Sequence, residues 1–373
     1  MKIEFAPMEG ITGYVFRRAH RALFSGISEY YLPFIATHAT RTLKKKELDD
    51  LAWENNVIPG EAVQSSAAST ETLIVSGFSN TSAVSAEAIQ PTAASRFLMN
   101  TEDTIVVPQL LTKNADDCLW YLSEFRQMGY RKVNLNFGCP SPTVTAKGKG
   151  AAILGDLEGL RRLLDGIFSG NPGVRISVKT RLGIAEMSEF SEILPIYNSF
   201  PLDELIVHGR TLAETYQGNG HPELLPEIAA LCKCPLSYNG NIFFPEDAMR
   251  VKILAPQGLS AFMIGRGLLR NPALAREIAG GPPLTDEELS RFLTAVYRGY
   301  RETLPGPVPV LGRMKELWFY VEDLYEAPEP GTEAFRQLRN LRKARAFPAY
   351  EAAQAAFFAK PPARKQGKAR WQM

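Results

Sequence analysis

Short apolar runs alternate with longer amphipathic segments from residue 3 to about residue 278 of the 373-residue chain. A short apolar run is typical of a buried strand, whereas apolar residues spaced three or four apart are typical of one face of a helix. The runs predict eight strands, at 3–6, 29–32, 105–110, 132–136, 175–179, 204–208, 235–239 and 261–264. The segments between them predict helices near 13–24, 115–128, 156–168, 188–199, 222–232 and 245–254.

Strands that alternate with helices indicate βαβ units and therefore an α/β fold with a parallel sheet. Eight such units within about 280 residues favour a (β/α)8 TIM barrel over an open doubly wound sheet. After Gly280 the pattern contains helices only, and Thr285-Asp-Glu-Glu288 resembles a helix capping box. We therefore predict a catalytic barrel over 1–280, a small helical domain over 284–358 and a basic, disordered tail over 359–373.

One segment interrupts this rhythm between the second and third predicted strands, at about 56–103. Within it, 20 of the 39 residues from 57 to 95 are Ala, Ser or Thr, and none is Lys. A long irregular segment inside a compact domain is usually functional or mobile. We interpret it as an insertion into the barrel, without an assigned role.

Basic residues are concentrated near the end of the chain. Residues 331–373 contain ten Lys or Arg and only two acidic residues, whereas the whole chain carries a net charge of +2. Arg336, Arg339 and Lys343 are spaced to share one exposed face of a predicted helix. A basic end on a neutral or acidic body indicates a polyanionic partner, and a merely solvated basic tail is the alternative.

The cysteine content and the absence of targeting patterns indicate the compartment. The four cysteines, Cys118, Cys139, Cys232 and Cys234, include no C-x-x-C pair, and no pair of histidines accompanies Cys232-Lys-Cys234, so we expect no metal site. So few cysteines fit a reducing compartment. The sequence shows neither a signal-peptide pattern nor an apolar run of about 18 residues. We therefore expect a cytoplasmic protein with no membrane association.

Polar or glycine-rich segments follow seven of the eight predicted strands, and the active site of a (β/α)8 barrel lies at these carboxyl ends. They are Pro7-Met8-Glu9, Gln109, Asn134 and Asn136 with Cys139, Lys179, His208, Asn239-Gly240-Asn241 and Gly265-Arg266-Gly267. Taken singly, a lysine at a strand end is most often solvated, a lone histidine is more often structural, and a glycine-rich segment is often only a turn. Their recurrence at one end of the barrel indicates a polar active site.

The chemistry of these residues fits flavin mononucleotide (FMN). The turns after strands seven and eight offer backbone N–H groups and the Arg266 guanidinium, which suit a phosphate. Lys179 could place a cation beside a ring that becomes anionic on reduction. Gln109 can donate and accept hydrogen bonds, as an imide edge requires. Cys139 would then face the ring and could protonate a carbon that has accepted a hydride.

In the segments that carry these residues, the chain resembles the tRNA-dihydrouridine synthases. The segments are Ala6-Pro-Met-Glu-Gly10, Pro108-Gln-Leu-Leu111, Asn134-Leu-Asn-Phe-Gly-Cys-Pro140, Lys147-Gly-Lys-Gly-Ala151, Ser177-Val-Lys-Thr-Arg-Leu-Gly183, Val207-His-Gly-Arg-Thr211, Asn239-Gly-Asn241 and Met263-Ile-Gly-Arg-Gly267. The resemblance covers most of residues 1–278. It implies an FMN enzyme that reduces uridine to 5,6-dihydrouridine in tRNA, with NADPH as the reductant of the flavin.

The resemblance also implies the roles of individual residues. Hydride would pass from flavin N5 to uracil C6, and Cys139 would be the catalytic acid that protonates C5. The residues implied to bind FMN are Pro7, Met8, Glu9, Gln109, Lys179, His208, Asn239, Gly240, Asn241, Gly265 and Arg266. The residues expected to contact the substrate are Asn134, Arg181, Arg336, Arg339 and Lys343. We expect a monomer that binds tRNA.

Two other functions are compatible with the sequence. One is an FMN barrel dehydrogenase or reductase that acts on a free pyrimidine, which would not need the basic helical domain. The other is an RNA-binding relative that has lost catalysis, although Cys139, Lys179 and His208 are all present. Asn241 is a departure from the family pattern, because an acidic residue usually stands there; a neutral amide would keep the turn and change its contacts.

Overall fold

The computed structural model describes residues 1–51, 100–101 and 104–365. The strands are β1 (Lys2–Phe5), β2 (Glu29–Tyr31), β3 (Ile35–Ala36), β4 (Asn100–Thr101), β5 (Thr104–Val107), β6 (Gln109–Leu111), β7 (Lys132–Phe137), β8 (Arg175–Arg181), β9 (Glu204–His208), β10 (Leu236–Asn239) and β11 (Ala261–Ile264). Most of the insertion predicted at 56–103 lies outside the described residues.

All of these strands except β4, which pairs antiparallel with β5, form the eight staves of a closed barrel. Strands β7 to β11 pair in parallel in chain order, and β1 pairs in parallel with both β11 and β2. The second and third staves are each broken by a proline, Pro33 between β2 and β3 and Pro108 between β5 and β6, because proline has no N–H for the ladder. Both halves stay paired, β2 with β5 and β3 with β6. The predicted (β/α)8 barrel is confirmed.

Helices surround the barrel and follow it. They are α1 (Tyr14–Leu23), α2 (Lys45–Leu51), α3 (Ala115–Gln127), α4 (Pro142–Thr145), α5 (Leu157–Ser169), α6 (Phe190–Tyr197), α7 (Leu225–Leu231), α8 (Pro245–Leu254), α9 (Arg266–Arg270), α10 (Leu274–Ile278), α11 (Asp286–Thr303), α12 (Pro307–Val321), α13 (Glu333–Lys343) and α14 (Phe347–Ala359). All six predicted barrel helices are present. The sequence pattern missed α2, α4, α9 and α10. No helix within the described ranges is both long and apolar enough to cross a membrane.

The amino-terminal end of the barrel interior holds a buried charged network. Lys132 Nζ lies 2.7 Å from Glu29 Oε2 and 2.8 Å from Glu204 Oε2. The Tyr31 hydroxyl donates to the same two carboxylates. Carboxylate oxygens of Glu4, Glu29 and Glu204 lie within 4.8 Å of one another. Burial and the Glu204 charge raise the pKa of Glu4 well above its ordinary value. This raised pKa favours the protonated form of Glu4, which limits the negative charge gathered around the single Lys132 ammonium.

The helices after residue 284 pack against the barrel rather than apart from it. The Thr285 side chain accepts from Glu288 N–H and the Glu288 side chain accepts from Thr285 N–H, which confirms the capping box that starts α11. Phe292 of α11 meets Phe16 of α1 edge to face, with ring centroids 5.3 Å apart. The Tyr300 hydroxyl donates to the carbonyl of Ile11. One continuous apolar core therefore joins α1 to the carboxyl-terminal helices.

The last described residues are attached to this helical region. Glu326 N–H donates to the carbonyl of Ala363, and Lys365 N–H donates to the carbonyl of Leu324. Lys365 Nζ also lies 2.9 Å from Asp323 Oδ1. These contacts involve Ala363 and Lys365, which belong to the tail over 359–373 that the sequence predicted to be disordered. The rest of that segment, 366–373, lies outside the described residues.

Candidate active site

A cavity of about 870 Å³ opens at the carboxyl ends of the strands, where the sequence placed the site. Its wall includes Glu9 after β1, Thr37 after β3, Leu111 at the end of β6, and Cys139 after β7. Tyr216, in the loop after β9, completes the wall beside them. Residues at the carboxyl ends of five separate staves therefore face one space, as the closed barrel requires.

A chain of buried amides fixes the strand ends behind the thiol. Asn134 Nδ2 donates to Ser177 Oγ at 2.9 Å, and Gln109 Nε2 donates to Asn134 Oδ1 at 2.8 Å. Asn136 Nδ2 donates in turn to Gln109 Oε1 at 2.7 Å. Each amide orients its neighbour, because a flipped group would set two donors or two acceptors against each other. Gln109 is thus held by two protein partners.

The turn that carries Cys139 is held by the same chain. Asn136 Oδ1 accepts from Gly138 N–H at 3.1 Å and from Cys139 N–H at 2.5 Å. On the other side, a Cβ on Gly150 would lie 2.5 Å from the carbonyl oxygen of Cys139, and Gly150 has φ +63. Only glycine tolerates both the approach and this backbone conformation. The turn and the Gly150 loop therefore pack directly together and hold the thiol at the cavity wall.

Arg181 supports this turn from behind. The guanidinium is fully buried; Nε donates to the carbonyl of Gly138 at 2.6 Å, and Nη1 donates to the carbonyls of Thr211 and Thr215, each at 2.8 Å. From the sequence we expected Arg181 to contact the substrate. In the structure it joins the turn after β7 to the loop after β9. Like Asn134, Gln109, Lys179 and His208, it is not among the residues that line the cavity.

The Cys139 thiol is held in its protonated form. Burial raises its pKa, and this effect outweighs the opposing influence of a Ser141 backbone N–H and the Lys179 and Arg181 cations. Burial, together with the Arg181 charge, lowers the pKa of Lys179 to about 7. Within the described part of the chain, no carboxylate forms a salt bridge with Lys179. The site therefore places a protonated thiol near a buried lysine that has no carboxylate partner among these described residues.

His208 is neutral and its tautomer is defined. Burial and the nearby charges of Arg181, Lys179, Arg210 and Arg266 hold its pKa well below the ordinary value. Arg210 Nη1 lies 3.1 Å from His208 Nε2. Because arginine can only donate, Nε2 is the acceptor and the proton is on Nδ1. Arg210 is itself buried and anchors the loop after β9 by donating to the carbonyls of Gln217 and Gly218.

The turns after β10 and β11 are joined side by side. Asn239 Nδ2 donates to the carbonyl of Met263 at 2.7 Å, and Arg266 Nη2 donates to Asn241 Oδ1 at 2.9 Å. A Cβ on Gly267 would collide with the carbonyl oxygen of Ile242. The predicted candidates Asn239, Gly240, Asn241, Gly265 and Arg266 therefore occupy two adjacent turns. Asn241, the neutral amide, serves as the acceptor for the guanidinium.

The turn after β1 is next to these two turns. A Cβ on Gly265 would lie 3.4 Å from Met8 Sδ. Met8 N–H donates to Thr12 Oγ1, which closes the turn. Glu9 is exposed at the cavity and lies 3.7 Å from Lys46 Nζ. Pro7, Met8 and Glu9 are thus brought to the same end of the barrel as the other candidates.

Three predicted substrate contacts lie elsewhere. Arg336, Arg339 and Lys343 are exposed on α13, and Arg336 forms a surface salt bridge with Glu333. None of them lines the cavity. Their shared exposure agrees with the predicted solvent-facing stripe. Because they are outside the cavity, they could contact only parts of a substrate larger than a single base.

Sequence reasoning missed Tyr216 as a site residue. Its ring is 51% exposed and lies between two cations, with the Arg181 and Arg266 guanidinium carbons 5.5 and 5.4 Å from the ring centroid. The ring of His208 lies 6.2 Å away. Tyr216 is in an irregular loop, so no periodic pattern marks it. Asn136 was recognised at its strand end but was given no role. It stands two residues after Asn134 and therefore lies on the same face of the strand.

The fold and the site together define a TIM-barrel protein with a polar, thiol-bearing site at the carboxyl ends of its strands. The model of the dihydrouridine synthase family (Dus) matches residues 4–304. The chain therefore belongs to the dihydrouridine synthase family.

Individual relatives carry related names. The tRNA-dihydrouridine(16) synthase of Neisseria meningitidis serogroup B is 31% identical over 186 residues, 49% of this chain and 55% of that protein. The tRNA-dihydrouridine(16) synthase of Shigella flexneri is 30% identical over 240 residues, 63% of this chain and 71% of that protein. The probable tRNA-dihydrouridine synthase 2 of Bacillus subtilis is 34% identical, over 39% of this chain and 45% of that protein. The chain thus spans about half the length of several relatives that it matches.

One solved structure was also compared with the chain. A variant of NCR from Zymomonas mobilis aligns with 76% of this chain and 88% of that chain, with 13% identity and a TM-score of 0.47.

Proposed function

We propose that this protein is a flavin-dependent reductase that converts uridine to 5,6-dihydrouridine in tRNA, with FMN as its cofactor and NADPH as the reductant. Membership of the dihydrouridine synthase family supports the reaction class, and the names of the relatives support tRNA as the substrate. The observation that carries the proposal is the protonated Cys139 thiol at the cavity wall, near the buried Lys179 amine, which has no carboxylate partner among the described residues.

The electrostatics of the site fit a bound anion. His208 is surrounded by four cations, and burial lowers the pKa values of Lys179 and Arg266 to about 7 and about 10. Cations that are desolvated in this way gain stability when an anionic ligand approaches. A phosphate and a reducible ring would supply that negative charge. The residues present therefore fit FMN.

Individual residues would then take distinct roles. Arg266, with the turns that contain Gly240 and Gly265, would hold the phosphate. Gln109, Lys179 and His208 would face the ring, with His208 offering its Nδ1 proton. Pro7, Met8, Glu9, Asn239 and Asn241 would complete the cofactor site. Bound FMN would supply the hydride that adds to uracil C6.

Cys139 would complete the reaction by proton transfer. Its thiol is neutral, so it can donate its proton to uracil C5 without first being protonated from solvent. Asn136 keeps the turn in place while the proton is transferred, and Asn134 would orient the amides that face the base. The positive charges of Lys179 and Arg181 stabilise the thiolate that remains. They partly offset the effect of burial, which raises the pKa of the thiol overall.

A tRNA substrate requires the target base to leave its stack, since the thiol lies in a cavity. The cationic residues Arg336, Arg339 and Lys343 on α13 would contact RNA phosphates while the base is in the barrel. We propose that a monomer is sufficient and that it acts in the cytoplasm, where tRNA is processed.

The proposal is tested by comparing substrates directly. The purified protein is reconstituted with FMN and supplied with NADPH and unmodified tRNA, free uracil or orotate, and the dihydro products are measured. We expect product from tRNA only. Turnover of a free pyrimidine alone would make the protein a small-molecule reductase, and failure to bind FMN would favour an inactive RNA-binding relative. Mapping dihydrouridine in cells with and without the protein identifies the modified position.

A further inference from the structure

Two cysteines lie side by side at the end of the barrel opposite the cavity. Cys232 follows α7, and Cys234 is two residues before β10 begins at Leu236. Their sulfur atoms are 3.7 Å apart, and both side chains are partly exposed. They are not among the residues that line the active-site cavity. The proposed reaction does not use either thiol.

The backbone around the pair is held at several points. Asn198 Oδ1 accepts from Lys233 N–H and Asn198 Nδ2 donates to the carbonyl of Leu231, each at 2.9 Å. Cys232 N–H donates to the carbonyl of Ile228 at 2.8 Å. The loop is therefore fixed by α6 and α7, and side-chain rotation must provide most of the movement that brings the sulfurs from contact to a bond of about 2.05 Å.

The two thiols differ in reactivity. The contact between the two sulfur atoms lowers the pKa of Cys232 to about 7 and raises the pKa of Cys234. Burial raises the pKa values of the other two cysteines, Cys118 and Cys139. A thiol whose pKa is close to the ambient pH is an effective attacking group in disulfide exchange. Cys232 is thus suited to attack and Cys234 to resolve.

The cysteine pair is better suited to forming a disulfide than to binding a metal ion. Among the described residues, the one group of three or more metal-binding side chains is Glu4, Glu29 and Glu204, and it contains neither cysteine. A structural zinc site needs four ligands, and the pair supplies two. Two adjacent thiols alone are sufficient for a disulfide.

We propose that Cys232 and Cys234 form a redox-active dithiol that exchanges with low-molecular-weight disulfides and closes to an intramolecular disulfide. The Cys232 thiolate attacks one sulfur of R–S–S–R, which forms a mixed disulfide and releases one thiolate RS⁻. The Cys234 sulfur then attacks Cys232 sulfur and releases the second RS⁻, which takes the Cys234 proton. The two cysteines are oxidised by two electrons, and one R–S–S–R is reduced to two thiols. The pair reopens by the reverse exchange with excess thiol.

The test uses the full-length protein incubated near pH 7 with glutathione disulfide, followed by intact-mass measurement and peptide mapping. Wild type should lose the mass of two hydrogen atoms, with both changes at Cys232 and Cys234, and added reduced glutathione should restore it. Cys234→Ser keeps a hydroxyl donor beside Cys232 and removes the resolving thiol, so it should retain one glutathionyl group on Cys232. Cys232→Ser should react about fivefold more slowly. Cys139→Ala, which leaves the pair intact, should close as wild type does.

Three results would overturn the proposal. They are a stable glutathionyl group on wild-type Cys232 without closure, faster modification of Cys139 than of Cys232, and no reaction at either sulfur while a denatured sample reacts. Circular dichroism of each variant establishes that it is folded. The wild-type peptide map decides the outcome even if a variant is unstable.

Discussion

Cys139 differs from a nucleophilic cysteine in its protonation state. A nucleophile needs a thiolate, which requires a lowered pKa, whereas burial raises the pKa of Cys139 despite the nearby Lys179 and Arg181 cations. Burial therefore dominates over charge at this position. A neutral thiol beside a cavity is suited to donate a proton and poorly suited to attack a carbon.

Replacing Cys139 with alanine tests that role. Cys139→Ala should bind FMN and tRNA as wild type does and should lower the rate of dihydrouridine formation by roughly 10²–10⁴-fold, the usual contribution of a general acid. Single-turnover reduction of tRNA by the pre-reduced enzyme measures this step. In wild type the rate should fall as the pH rises through the thiol pKa, because only the protonated thiol donates.

A cysteine-to-serine variant is the matched control for size. Cys139→Ser retains a polar side chain whose proton is far less acidic, so it should remain nearly as slow as the alanine variant. A serine variant as fast as wild type would assign the proton to another group. An alanine variant with unchanged rate would have the same consequence.

Glu4 makes the free energy of unfolding fall as the pH rises, which is the opposite of the effect of a salt-bridged carboxylate. Its pKa is raised in the folded barrel by burial and by Glu204, whereas an unfolded Glu ionises near pH 4.3. Between these two pKa values the folded state binds more protons than the unfolded state, so stability falls as the pH rises. The folded protein therefore loses stability towards neutral pH through Glu4.

Glu4→Gln should remove this loss. The neutral amide matches the protonated carboxyl in shape, so we expect a higher free energy of unfolding at pH 7 and a flatter dependence between pH 5 and pH 8, measured by urea denaturation. Glu288→Gln is the control of opposite sign, because the Arg276 hydrogen bond lowers the Glu288 pKa to about 2. Glu288→Gln should be destabilising at pH 7. A Glu4→Gln variant that is also destabilised would show that Glu4 is ionised.

At the scale of elements, the alternation of apolar and polar residues predicted the barrel well. All eight predicted strands are present, and β9 and β11 begin and end at the predicted residues. Burial explains this, since a barrel strand is covered on both faces and its middle residues are mostly apolar, as Leu205, Ile206 and Val207 of β9 are. The breaks at Pro33 and Pro108 were not predicted from the sequence. The strand pairing continues on both sides of each proline.

The contacts around β7 were less predictable than its position. The strand ends contributed Asn134 and Cys139 to the predicted site, but the carbonyls bound by Arg181 and the loop position of Tyr216 depend on segments distant in sequence. A polar side chain before a turn can face solvent, a ligand or a neighbouring backbone. The sequence does not distinguish these, and only the folded arrangement assigned Arg181 to the backbone.

Asn136→Ala tests whether the β7 turn positions the thiol. The change leaves the Gly138 and Cys139 N–H groups without their acceptor, which should cost about 1–3 kcal/mol of stability and reduce kcat more than KM. Kinetics with tRNA and thermal denaturation measure both effects. Asn198→Ala removes comparable loop contacts at the opposite end of the barrel and should leave kcat unchanged. Equal kcat values for the two variants would remove the positioning role of Asn136.

At the scale of the whole molecule, the barrel and the later helices share one apolar core. That core includes Phe16 of α1 and Phe292 of α11, and it extends to Leu338 and Phe357 of α13 and α14. The predicted division into domains at about 280–284 remains a proposal about function. Removing the last helices would expose buried side chains. A deletion would therefore not distinguish the loss of RNA contacts from the loss of packing.

Charge substitution on α13 avoids that difficulty. Arg336, Arg339 and Lys343 are exposed, so changing all three to Gln should preserve the fold, weaken tRNA binding and reduce the slope of log Kd against log salt by up to about 3. Fluorescence anisotropy over a range of salt concentrations measures the slope. The control changes the exposed residues Arg161, Arg162 and Lys252 to Gln and has the same net charge. An equal slope change in the control would indicate a non-specific effect.

The packing of α1 on α11 has a consequence for synthesis of the protein on the ribosome. Val15 of α1 lies so close to Gly299 that a Cβ there would be 2.7 Å from Val15 Cγ1, and β1 must pair with β11 to close the barrel. At a translation rate of about 5–20 residues per second, roughly 15–60 s pass between synthesis of α1 and completion of α11 at Thr303. During that interval the surface of α1 that packs against α11 has no native partner, and we expect it to bind chaperones that protect nascent chains.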